Sequence, residues 1–488
     1  MFYAKRIAGK TAYHRKAAVT FTKGIVSNFD DKSLSLAVCK LAYNCSGESG
    51  ALVNIKGIKT FDIPYVTDGV SMTYSVECEN DILRAWHYKR TDYTTNECDD
   101  RIVLFCSNFR LYEVSLTSPS APTAIGTITF SEIPVAVNYK LNDSDVIMFS
   151  SPSDSLTVYD GVNLPYQVST APKIRSMCTH YERLFAVGED NLLWFSDDLD
   201  PTNWNISLDQ AGYIEFADNK GKLLKVISFL DYVYVFRRYG ITRVTAYADQ
   251  TEFYVNEVYA TGNIYPETVA VCGDTVYFLS KDGLYSFDGL TTKKIFSTLD
   301  GLWPSDNEDA SAVFIGNEYF LCCKMDFGDD DFTSIETENG NNTLLILNVA
   351  DGTLKIIRIG GLLYINGILS EKMCGTLVCL SDENSKKLAE IGGENYFDNP
   401  IEKFYLTPET DFGFTLQDKF VRYISVNTQS DITVGICADG QWSKFDISGG
   451  SGFQKIPIGI KGKLFRIALY TAQETMKIKP VEITYVNY

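Results

Sequence analysis

No stretch of this sequence stays apolar for the roughly 20 residues that a membrane-spanning helix needs, so no span is expected. The N-terminal run MFYAKRIAGKTAYHRKAAVTF lacks the apolar centre of a secretory signal, and export by that route is not expected. Histidine is scarce, with His14, His87 and His180 the three in 488 residues. No Cys-x-x-Cys and no paired-ligand spacing accompany them, which leaves a zinc centre nothing to build on. The HExxH, P-loop and GxGxxG motifs are missing, as is the Gly-x-Ser-x-Gly elbow of serine hydrolases. No helical periodicity runs beyond about two turns. Basic charge is outnumbered, 44 Lys and Arg against 62 Asp and Glu, for a net charge of −18. Such a surface disfavours sequence-specific binding of phosphates, yet it suits a passage through which a duplex must slide without sticking.

What the chain does contain is strands and turns. It has 30 Tyr, 29 Phe and 35 Gly, a composition that suits short strands joined by tight loops. The clearest stretch is Cys272 to Gly289, CGDTVYFLSKDGLYSFDG, two strands joined at Lys281-Asp282-Gly283, where the glycine can take the positive φ of a hairpin. Related stretches begin near residues 101, 145, 183, 231, 317 and 374, mostly about 40 residues apart, the period of a four-stranded propeller blade. Several of the twelve cysteines, such as Cys106, Cys322 and Cys379, fall inside apolar strands, where reduced thiols act as small hydrophobes. The expected fold is all-β. Residues 1–60 form an extended N-terminal arm and lead strand, and residues 61–398 a β-propeller of six or seven blades. Residues 399–488 form a C-terminal β-sandwich, with strands expected at 403–406, 412–414, 420–426, 432–436, 442–445, 455–458, 464–470 and 481–485.

Candidate functional residues are few. Lys5, Arg6, Lys10, Arg15 and Lys16 precede the first acidic residue, Asp30, and make a basic arm suited to lie on a partner or a neighbouring subunit. In DDLDPTNWNISLDQAGY, residues 197–213, Asp200-Pro201 starts a turn that Trp204 can pin, and the loop around Trp204 is a second candidate contact. Residues 326–342, DFGDDDFTSIETENGNN, form an acidic insert expected as an exposed loop, and Asp329, Asp330 and Asp331 could face a channel. That run lacks the spaced D-x-D-x-D-G of a calcium loop. Ser280-Lys281-Asp282-Gly283 is close to the aspartate box of sialidase blades. However, its glycine comes one place early and the Thr-Trp is missing, so it reads as a hairpin turn. His180, in MCTHYERLF, reads as a structural or surface histidine. No catalytic, metal or cofactor residue is expected.

The layout resembles a family. SLSLAVCKLAYNCSGESGALVNIKGIKTF is similar to the opening of many phage virion proteins, with its "Tyr-Asn … Gly-Ala-Leu … Gly" line. HYERLFAVGEDNLLWFSDDLDPTNW resembles the "R-L-F … G … S-D … D-P … W" line of such propellers. FLDYVYVFRRYGITRVTAY, GNIYPETVAVCGDTVYFLSKDGLYSFDG and KKIFSTLDGLW then follow in the order found in the tail hub, or packaged-DNA stabilisation protein, of short-tailed phages. The likeness spans residues 20–390 in pattern and is sharpest at 174–303; the acidic insert and the many cysteines depart from it. It implies a structural virion protein, a tail hub or nozzle assembled in the host cytoplasm. Such proteins form a ring, commonly of six copies, below the portal and head–tail adaptor. They contact other tail proteins, hold packaged double-stranded DNA and pass it on at ejection. The competing expectation is a propeller that binds or degrades glycans.

Overall fold

The computed structural model describes residues 14–27, 34–48, 50–142, 144–208, 211–247, 249–258, 262–304, 306–328, 332, 340–415 and 417–487. Among these the chain is all-β, and its helical content is limited to short 3-10 turns such as Pro266–Thr268. Five antiparallel sheets of four strands follow one another from Ile82 to Ile295, and a seven-stranded sheet comes after them. In that larger sheet the 16-residue strand Leu354–Leu369 serves twice. Its first half pairs with Asn341–Asn348 and its second with Cys374–Leu380, and the register shifts between Leu362 and Tyr364. The sheet thus consists of two four-stranded units, giving seven units in a propeller-like succession.

Each stretch singled out in the sequence forms the second and third strands of one unit. In unit 5, Thr275–Ser280 pairs with Gly283–Phe287, and Gly283 at φ 139° makes the two-residue turn that a side chain would resist. The corresponding hairpins are Arg101–Cys106 with Arg110–Ser115, Arg183–Gly188 with Leu193–Phe195, and Tyr232–Arg237 with Gly240–Thr245. The last unit takes its fourth strand from the other end of the chain. Ile58–Thr60 pairs with Ala389–Ile391. This works because Gly57 packs on backbone: a Cβ there would stand 2.0 Å from the carbonyl oxygen of Asn395.

The units are also joined side to side, each pair by a hydrogen bond. Asn366 Nδ2 donates to Ala85 O at 2.9 Å, Asn138 Nδ2 to His87 O at 2.9 Å, and Thr179 Oγ1 to Asn138 O at 3.4 Å. Val226 N donates to Ser176 Oγ at 3.1 Å, and Lys225 Nζ to Glu267 Oε1 at 3.1 Å. Tyr319 OH donates to Thr268 O at 2.8 Å, and Ile365 N to Ser311 Oγ at 3.1 Å, which completes the circuit from unit 7 back to unit 7.

Beyond residue 400, two sheets share one hydrophobic core. One is ordered Arg15–Val19, Val481–Asn487, Lys419–Val426, Gln454–Gly462. The other is ordered Leu41–Tyr43, Lys403–Leu406, Phe465–Thr471, Ile432–Ala438, Gln441–Ile447. Val421, Ile424 and Ile483 of the first pack with Val434, Ile467 and Leu469 of the second. The expected strand at 412–414 is a turn instead. Asp411 Oδ1 accepts from Gly413 N at 2.7 Å, Phe412 takes φ 51°, and its ring stacks on Tyr485 at 4.5 Å. The described part of residues 1–60 is not a free arm, since it supplies a strand to each C-terminal sheet and one to unit 7.

Asn44 joins these parts. It is 2 % exposed and left-handed at φ 57°. Its backbone N donates to Ile356 O at 2.8 Å, and its Nδ2 to Arg358 O at 2.9 Å and Glu402 O at 2.7 Å. Its Oδ1 accepts from Arg358 N at 2.8 Å. One side chain thereby links the lead segment, unit 6 and the start of the C-terminal sheets. Asn44→Ala leaves two buried backbone groups of Arg358 and the partly buried Glu402 carbonyl unpaired, and puts a Cβ residue without local compensation in the left-handed region. It is expected to cost about 3–5 kcal/mol in urea unfolding. The same change at the exposed Asn142, also left-handed at φ 53°, should cost about 1 kcal/mol. Equal losses at both sites would remove Asn44's special role.

Candidate functional site: the axial cavity

Where the first strands converge, a cavity of about 410 Å³ receives a residue from every unit. Arg84 and Trp86 come from unit 1, Ala136 from unit 2, Arg175 and Met177 from unit 3, and Lys225 from unit 4. Glu267 precedes the first strand of unit 5, Ala312 belongs to unit 6, and Tyr364 and Asn366 to unit 7. A second hollow of about 280 Å³ shares Trp86, Ala136 and Asn366 and adds His87. Alternation along a strand accounts for pairs such as Arg84 and Trp86 or Tyr364 and Asn366, while Glu267 is brought in by the 3-10 turn Pro266–Thr268.

The lining is charged. Lys225 Nζ lies 3.1 Å from Glu267 Oε1. Burial alone would raise the Glu267 carboxyl; the Lys225 charge and hydrogen bond, with Arg84 further off, outweigh it and hold the group below its usual range. Arg84 stacks its guanidinium over the Tyr364 ring at 4.2 Å and donates to Leu83 O at 2.8 Å. Arg175 pairs with Glu189. Ser176, also in the lining, accepts from Val226 N through its hydroxyl. The arrangement can seat a small polar molecule or hold the units together electrostatically. Among the described residues no group of three or more His, Cys, Asp or Glu side chains could hold a metal.

Of the residues singled out from sequence, Lys5, Arg6, Lys10, Asp329, Asp330 and Asp331 lie outside the described residues. Arg15 and Lys16 sit on the edge strand of a C-terminal sheet, far from the cavity in sequence and in fold. Arg15 stacks over Phe414 at 4.3 Å, and Lys16 pairs with Glu482 at 2.9 Å while remaining 66 % exposed on its side chain. Trp204 does pin its loop, donating from Nε1 to Pro201 O at 2.9 Å. It does so from inside: the indole is 3 % exposed and packs with Met177 and Leu184, so any contact made here falls to the surrounding loop. The acidic insert is not simply an exposed loop. Phe327 packs 4.7 Å from the Arg358 guanidinium, and Phe332 lies 5.4 Å from Phe404 and 4.9 Å from Trp442. Phe332 therefore holds the insert against the C-terminal sheets, and Phe327 packs on Arg358 of its own unit and 5.5 Å from Tyr43 of the lead segment. The cavity residues themselves carried no motif; only their convergence from all seven units, six through a first strand and the fifth through the turn that precedes it, unites them.

His180 is buried at 3 % exposure, with Nδ1 2.8 Å from Ser228 Oγ, and so ties unit 3 to unit 4. The cysteines are free thiols, eight of the twelve buried, and burial pushes Cys39, Cys272, Cys322 and Cys379 up to about 12.

No family model matches the chain, and no curated protein matches it. Among solved structures it is similar to the N-terminal domain of BBS1 in complex with ARL6, with 11% identity, TM-score 0.40, and coverage of 70% of this chain and 99% of that one. It is also similar to PorZ of Porphyromonas gingivalis, a surface component of the type-IX secretion system (13% identity, TM-score 0.40, 76% and 46% covered). BamB from Moraxella catarrhalis gives 13% identity and TM-score 0.37 over 71% and 93%. Likenesses this distant carry nothing about what the chain binds.

Burial lowers the His180 pKa below its ordinary 6.5, against the opposing pull of the Asp231 carboxylate. The unfolded chain therefore takes up a proton from about pH 6.5 downward while the folded chain resists it. His180's share of stability is full above that pH and is lost as pH falls towards the folded value. Urea midpoints from about pH 7.5 to 5 are expected to fall less steeply for His180→Gln than for the parent. Parallel slopes would show that His180 is not the group that titrates.

Proposed function

We propose that the seven units are the blades of one closed β-propeller and that the two C-terminal sheets form a β-sandwich. We further propose that the protein is a structural, non-enzymatic subunit of a bacteriophage tail. In this reading it forms the hub or nozzle ring below the portal, retains packaged DNA, and gives it a passage at ejection. Portal-side adaptor and other tail proteins are its partners, and the DNA is a passenger held without sequence specificity.

The observation that carries this reading is a coincidence of motif and architecture. Two of the stretches that carry the resemblance fall on residues that organise the fold. Tyr43 and Asn44, of the "Tyr-Asn" line, join the lead segment to unit 6 and to the C-terminal sheets. The line from Arg183 to Trp204 builds the second and third strands of unit 3 and the loop that Trp204 pins. The acidic surface agrees with a passage that DNA must leave, and a rigid body tied at both ends offers separate faces to neighbours above and below.

A propeller that binds glycan is a second reading. What favours it is the axial cavity, where Trp86 and Tyr364 lie beside Arg84, Lys225 and Glu267 in a volume that fits a sugar unit. Mass photometry with negative-stain classes, on the protein alone and with its portal-side neighbours, separates the two. A ring of about six copies with an open centre is expected. A monomer that never closes a ring, even with those partners, would sink the tail reading and move effort to a glycan screen.

A further inference from the structure

One face of units 3 to 5 carries apolar side chains that the fold does not require. Leu199, Tyr181, Tyr247, Leu230 and Leu290 are 50 to 63 % exposed. All five lie in turns that join first to second or third to fourth strands, which share one side of the units. They are contiguous. Leu199 N donates to Glu182 O at 3.0 Å, beside Tyr181, and the Tyr181 and Tyr247 rings lie 5.7 Å apart. A side chain at Gly289 would meet Leu230 Cδ1 at 3.3 Å, one residue before Leu290. Asp231, next to Leu230, is close enough to Tyr181 to act on its hydroxyl.

Three of these residues occupy the left-handed region: Leu199 at φ 59°, Tyr181 at φ 49° and Leu230 at φ 45°. Bulky L residues avoid it, and Asn or Gly would serve the turns better. Turn geometry therefore argues against the side chains that are present, and strain held at an exposed position points to use. The rim is acidic, with Glu182, Asp198, Asp231 and Asp288 on the same turns. The nearby cations are engaged elsewhere: Arg183 Nη1 donates to Ser196 O at 2.9 Å, and Arg243 stacks over Tyr232 at 4.5 Å. An apolar patch with a polar rim of one sign suits an apolar, oppositely charged partner.

We propose that this face docks the N-terminal segment of a second copy, residues 1–13. MFYAKRIAGKTAY carries Lys5, Arg6 and Lys10, no acidic residue, and the apolar Phe2, Tyr3, Ile7 and Tyr13. Its charge opposes the rim, and its aromatics match the patch. The inference rests on the proposed assembly of copies and names the contact through which one holds the next.

The test uses a chain lacking residues 2–13 and a fluorescein-labelled peptide of residues 1–13. Anisotropy should show saturable binding that weakens with added salt. The double variant Tyr181→Asn, Leu230→Asn should bind about tenfold or more weakly while melting no lower than its parent, because both changes relieve the turns. Binding no better than that of a peptide with Lys5, Arg6 and Lys10 changed to Glu would overturn the proposal. So would undiminished binding by the double variant. Pull-down of the truncated chain by tagged full-length protein is expected. Its failure while the peptide still binds would show the segment docking on its own chain and would overturn the second-copy assignment. Rings that close normally from the double variant would reject this docking face and leave the tail reading standing.

Discussion

The side chain of Asn44 is the constraint on which the remainder of the structure turns. A buried amide must find partners for two donors and an acceptor, or its desolvation is unrecovered. Here those partners belong to Arg358 and Glu402, more than 300 residues further along the chain. The lead segment cannot leave without stranding buried backbone groups in unit 6 and at the start of the C-terminal sheets. Around that point Tyr43 stacks on Phe404 at 5.4 Å and receives Arg358 over its ring at 5.0 Å. Polar satisfaction and aromatic packing thus act at the same place, where the lead segment, unit 6 and the C-terminal sheets meet.

With the described lead segment tied to the last unit and to the C-terminal sheets, the interior of the succession can carry strain and charge that a looser structure would not tolerate. The Lys225–Glu267 pair stands in the cavity that all seven units line, and it links two of them. On one outer side, bulky residues hold left-handed turns at the expense of local stability. The second and third strands below them are almost wholly buried in units 3 and 4, as in Arg183–Gly188 and Tyr232–Arg237, so the turns are held by the hairpins and not the reverse. This division, rigid sheet beneath and unusual side chain above, is how a repeated scaffold acquires distinct surfaces.

The hairpins were legible in the sequence because their information is local. Thr275–Ser280 and Gly283–Phe287 declare themselves by β-branched and aromatic residues on either side of Asp-Gly. The same local pattern misled at 412–414, where aromatic residues suggested a strand but Asp411 and Gly413 form a turn. It also misplaced the aromatics of the acidic insert, since nothing near Phe327 or Phe332 in sequence announces Arg358, Phe404 or Trp442. Trp204 was half readable: its grip on Pro201 is local, while its burial depends on unit 3 packing against unit 2.

By itself, then, the sequence determined the class, the repeat and the middle hairpin of every unit, because strand and turn preferences act over a few bonds. The tertiary structure alone decided that Ile58–Thr60 completes the last unit, that residues from all seven units line one charged cavity, and that Asn44 is the residue that joins the parts. Each of those depends on groups brought together across tens to hundreds of residues. Hydrogen-bond satisfaction and packing select such contacts only once the strands have already been aligned.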